Sequence, residues 1–91
     1  MSNELNELLT KAKDLLKDEM TNISYETWIK SLEIRDFTDD KIILIASSPF
    51  QKDAVETRYY DLVTNTFKFI TNKDCKIIVE YQDPDSEEED V

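Results

Sequence analysis

From Leu5 to Met20 the apolar residues recur at steps of three and four: Leu5, Leu8, Leu9, Ala12, Leu15, Leu16 and Met20. Such steps return side chains to one face of a helix, so a single amphipathic helix is predicted from about Asn3 to Met20. Glu4 and Glu7 suit its positive end, Lys17 its negative end, and Thr21 and Asn22 the break that follows. A second, short helix is expected next, capped by Ser24 or by the neighbouring Thr21 or Asn22. Ile23, Trp28, Ile29 and Leu32 are expected to meet on its apolar side, with Glu26 and Lys30 pairing one turn apart.

The pattern then changes period. Leu32 to Phe37 is mostly alternating, and after Thr38-Asp39-Asp40 comes Lys41 to Ala46, rich in β-branched residues. Two antiparallel strands joined by a tight turn are expected, the second central in the sheet and Ile42 to Ile45 forming core. Ser48 then stands as an N-cap, Pro49 at the first helical position and Gln51 three residues after the cap, which opens a long helix. Val55, Tyr59, Leu62, Val63, Thr66 and Ile70 carry its apolar face to about Thr71, with Lys52, Glu56 and Asp61 on the wet face. Asn72 and Lys73 end it, and Cys75 to Tyr81 forms a third strand. Helix, helix, strand, strand, helix, strand is an α+β domain: a three-stranded sheet backed by helices on one side.

Composition narrows the chemistry. The chain has 91 residues, enough for one domain, with no glycine and no histidine. Walker loops and dinucleotide fingerprints need glycine where backbone approaches phosphate, so nucleotide binding by those routes is excluded. Without histidine, Ser-His-Asp and Cys-His catalysis and the usual zinc sets are also unavailable, and Cys75 alone forms no internal disulfide. The adjacent acids Asp39 and Asp40 lie between two strands and read as a solvated turn. No apolar run is long enough to cross a bilayer and no signal-peptide pattern opens the chain, so a cytoplasmic, metal-free, cofactor-free, non-enzymatic domain is expected.

The formal charge of -10 is uneven, because six of the 21 acids fall at Asp83, Asp85, Glu87, Glu88, Glu89 and Asp90. Residues 83–91 are therefore expected to be a disordered acidic tail, the start of a linker, and residues 1–82 the folded domain. The body shows no basic stripe, and tight phosphate-driven nucleic-acid binding is not expected.

Three blocks carry a family resemblance: Ile23-Ser-Tyr-Glu-Thr-Trp-Ile-Lys-Ser-Leu32, Ala46-Ser-Ser-Pro-Phe50 and Asp53-Ala-Val-Glu-Thr-Arg-Tyr59. In their order and spacing they resemble the N-terminal domain of the bacterial replication initiators of the DnaA family, over about residues 1–81. The chain departs from the family pattern at Ser48-Pro49, where Asn-x is more usual, at Ala54, where the family has tryptophan, and at Leu9, near a frequent first-helix tryptophan. Serine caps as asparagine does, and proline suits the position after it.

The resemblance implies a KH-like fold that binds proteins: the replicative helicase or its loader, regulators of initiation, and other initiator copies. ATP would belong to a separate ATPase domain. Carried over by motif position, partner contacts fall on Ser24, Glu26, Thr27 and Trp28 of the second helix and on Phe50 and Gln51 at the start of the third. Ser24 replaces an acid that some relatives use, and Trp28 suits core and contact equally. Leu9 takes the self-association position, and a homodimer would be weak. The chain is expected to be an excised first domain. The alternatives are a stand-alone mimic that inhibits initiation and a weak single-stranded DNA binder, although the GXXG clamp of KH domains needs glycine.

Overall fold

A computed structural model of the protein describes residues 3–82. Helix α1 spans Asn3–Glu19. Helix α2 opens at Asn22–Ser24 and continues into a wide π turn, Tyr25–Ile29. Strands β1, Glu33–Thr38, and β2, Lys41–Ala46, form an antiparallel hairpin. Helix α3 joins Pro49–Asp53 to a second π turn, Ala54–Arg58, and helix α4 follows at Tyr60–Thr71. Strand β3, Lys76–Tyr81, pairs in parallel with β2, so β2 is central. The fold is α+β with a mixed three-stranded sheet, in the expected element order except that the third helix is divided in two. The expected acidic tail at 83–91 lies outside the described residues.

With no glycine in the chain, two polar residues take the left-handed backbone positions. Asp39, in the hairpin turn, has φ 56°, and Asn72, at the end of α4, has φ 63°. Asp and Asn tolerate this region better than other side chains because their short polar groups bond locally.

The helices cover one face of the sheet. Ile42, Leu44, Ala46, Ile77 and Val79 point into a core completed by Ala12 and Leu16 of α1, Tyr25 and Ile29 of α2, Val55, Val63 and Phe67. Ile43 and Ile45, expected in the core, are only half-buried on the opposite face, together with Ile78. The unbroken apolar run of β2 thus serves one deeply buried face and one thinly covered face.

Strand β1 explains its own irregular sequence. Ile34 and Phe37 both pack on the core, yet they are three residues apart, which strict alternation forbids. The register shifts between Ile34 and Asp36, and this bulge at Arg35 restores the inward side for Phe37. Arg35 reaches over the open face to Glu80 on β3, with Nη1 2.6 Å from Oε1, although the two strands are not neighbours.

The single long helix expected from Pro49 to Thr71 is broken. Tyr59 N–H bonds the carbonyl of Ala54, five residues back, and Tyr59 then leaves helical geometry at φ -110°, ψ 10°. No glycine or proline marks the break. Its effect is to restart the apolar stripe, so Phe67, absent from the expected face, is 1% exposed while Ile70 is half-buried. Phe67→Ala should lower unfolding free energy by about 3–5 kcal/mol, comparable with much of the stability of a small domain. Urea denaturation should show Ile70→Ala to be the milder change; the reverse order would fit an unbroken helix.

Candidate functional site

Helix α2 begins where Thr21 Oγ1 accepts the N–H of Ser24 at 3.1 Å, so Thr21 is the cap among the three candidates. Tyr25 and Ile29 are buried, Glu26 and Thr27 are exposed, and Ser24 and Trp28 are half-buried. Glu26 accepts from Lys30 at 3.1 Å in a solvent-exposed pair that contributes little to stability. Trp28 packs against the core yet stays partly accessible to solvent.

Helix α3 starts as its sequence predicts. Ser48 Oγ accepts the N–H of Gln51 at 3.0 Å, and Pro49 occupies the first turn. This start leaves Phe50 76% exposed. An aromatic ring held in water on a capped helix end is a ready anchor for another protein.

Gln51 behaves differently from the contact residue expected of it. Its residue exposure is 2%, and its amide is consumed internally. Oε1 accepts from Ser47 N–H at 2.8 Å and lies 3.2 Å from Ser47 Oγ, while Nε2 donates to the Trp28 carbonyl at 2.8 Å and to Ser31 Oγ at 3.1 Å. Gln51 therefore positions the site by tying the start of α3 to the end of α2. At the other end, a side-chain hydrogen bond with Ser24 lowers the pKa of the Tyr59 phenol, with Arg58 adding to it against the opposing effect of burial. Ser24 beside Tyr59 and Trp28 beside Gln51 make the two helices antiparallel neighbours.

The structure thus brings Ser24, Glu26, Thr27, Trp28 and Phe50 onto one pair of helices. Ile23, expected on the apolar side of α2, is instead 77% exposed. The inward stripe is Tyr25, Ile29 and Leu32, and Ile23 sits about 200° around the helix from Tyr25. That spacing was available in the sequence. Ala54 is buried, and Tyr60 packs partly on the core nearby in the chain. Leu9 is half-buried and packs against the core, leaving only part of its side chain for another copy.

The α1–α2 junction has its own tie. Lys13 Nζ donates to the Lys30 carbonyl at 2.7 Å, and burial lowers the Lys13 pKa despite the opposing charge of Glu33. A cation at the carbonyl end of α2 also complements the helix dipole.

The family model of the DnaA N-terminal domain matches residues 6–68. The chain belongs to the DnaA N-terminal domain family. The match contains all three motif blocks and both helices of the candidate surface, and it ends before β3. A DnaA N-terminal domain is a non-catalytic interaction domain, and its place is in the initiation of replication. Among the described residues no helix is long and apolar enough to cross a membrane.

Within this pair of helices, the buried Gln51 and the exposed Phe50 should separate experimentally. Gln51→Ala leaves the Trp28 carbonyl unpaired in a part-buried setting and should cost about 1–3 kcal/mol. Phe50→Ala, at an exposed position, should shift stability by no more than about 0.5 kcal/mol. Denaturant melts of the two variants make the comparison.

Proposed function

We propose that this domain recruits replication proteins to an initiator through the exposed face of α2 and α3. Its partners are the replicative helicase or its loader and the regulators of initiation, and its surroundings are the cytoplasm. Contacts with other initiator copies, weak for the isolated domain, support oligomerisation. The observation that carries the reading is Phe50, 76% exposed at a helix start that Ser48 caps and Gln51 fastens to α2. Ser24, Glu26, Thr27 and the accessible part of Trp28 are solvent-reached residues of α2 on the same pair of helices, with Trp28 at the end that Gln51 ties to α3. Gln51 contributes by positioning.

Direct nucleic-acid binding is disfavoured by charge. Residues 1–82 hold fifteen acids against eleven bases, and phosphate repels such a body. Titration with single-stranded DNA at physiological salt should give affinities no tighter than about micromolar.

Capture of the purified helicase and loader from the same source by the immobilised domain tests the main reading. Phe50→Ala should weaken capture at least about tenfold, the loss expected for a buried aromatic anchor, while circular dichroism and melting stay unchanged. Undiminished capture of both proteins by that variant would place the contact elsewhere.

A further inference from the structure

A second exposed aromatic lies outside the α2–α3 surface. Phe69 of α4 is 77% exposed although it adjoins the core residues Thr66 and Phe67. It stands in a groove between α1 and α4. Near one end the groove is lined by Lys11, Asp14 and Leu15 opposite Phe69 and Ile70. Further along, Leu15, Asp18 and Glu19 face Leu62, Asn65, Thr66 and Phe69. Leu15 and Phe69 belong to both parts, so the groove is continuous, and the pairing of early α1 with late α4 makes the helices antiparallel.

The helical steps of both elements build this groove. On α1 the lining residues recur at 11, 14, 15, 18 and 19, and on α4 at 62, 65, 66, 69 and 70, one ridge on each helix. From Lys11 to Glu19 the floor runs about 12 Å, room for roughly two turns of a helix laid along it. Leu62 and Ile70 rest on the core, whereas Leu15 is half-buried outside it. Its exposed apolar floor is therefore Leu15 and Phe69, flanked by the edges of Leu62 and Ile70.

The rim decides the occupant. Asp14, Asp18 and Glu19 stand along the α1 side against the single base Lys11, and none of these three acids forms an ion pair among the described residues. An apolar floor with unpaired acids beside it complements an amphipathic helix whose apolar face is bordered by lysine or arginine. A second copy of this chain is the poorer match, since it would add its own excess of acids to the same rim.

We infer that the α1–α4 groove is a docking site for a basic amphipathic helix of a partner protein, separate from the surface around Phe50. The floor supplies the anchor through Phe69 and Leu15, and the acids set the polarity and salt dependence of the contact.

The test uses a synthetic peptide of roughly 15 residues, long enough to be helical when bound, with leucines on one face and lysines on its flanks. Fluorescence anisotropy should show saturable binding that weakens as salt rises. Phe69→Ala, an exposed change that leaves the fold intact, should reduce affinity about tenfold, and the double variant Asp14→Lys, Asp18→Lys should do likewise. Phe50→Ala should leave peptide affinity unchanged, and amide shifts on binding should fall on α1 and α4. The inference is overturned if the peptide does not bind, if a version with glutamate in place of lysine binds equally, or if the shifts cluster on α2 and α3. Sedimentation showing a dimer that Phe69→Ala dissolves would also overturn it, by making a second copy the occupant.

Discussion

A primary amide carried into a protein interior must find partners for its donors and acceptor, because each unpaired group costs about 1–3 kcal/mol. Gln51 meets that demand across two segments: Ser47 just before α3, and the Trp28 carbonyl with Ser31 at the end of α2. The hydrogen bonds set the relative position of two helices that meet over a small contact. Phe50, the residue immediately before, is held outward as a consequence. A surface built this way is rigid where its anchor stands, and rigidity reduces the ordering cost of binding.

The two π turns belong to the same arrangement. Each adds backbone width to a helix at the side where α2 and α3 meet, Lys30 N–H bonding the Tyr25 carbonyl and Tyr59 N–H that of Ala54. Such turns are uncommon in helices and recur at functional sites, where they re-aim the side chains that follow. Here the second one leads directly into the break at Tyr59, which lets α4 turn Phe67 into the core. Within α4 the 200° between residues two apart keeps Phe67 and Phe69 on opposite sides, one buried and one exposed.

The two exposed aromatics stand in different chemical settings. Phe50 stands beside the neutral amide clamp of Gln51, whereas Phe69 shares its groove with Asp14, Asp18 and Glu19, none of which forms an ion pair among the described residues. On the proposed reading, complementarity of charge chooses between these two surfaces of similar apolar character. The sheet's other face carries the Arg35–Glu80 pair, which joins β1 to β3 across the central strand.

Element order apart from the break at Tyr59, the limits of α1 and β2 and the Ser48 cap were legible in the sequence, because periodicity and capping act within a few residues. The family was legible for the same reason, its motifs being short blocks in a set order. Ile23, expected on the apolar side of α2, points outward instead, as its separation of about 200° from the buried Tyr25 requires. The burial of Gln51, the break at Tyr59, the bulge at Arg35 and the parallel pairing of β3 were decided by the tertiary structure. Each depends on groups far apart in the chain, such as Gln51 with Trp28, Tyr59 with Ser24 and Arg35 with Glu80, and no local pattern records whether such groups will meet.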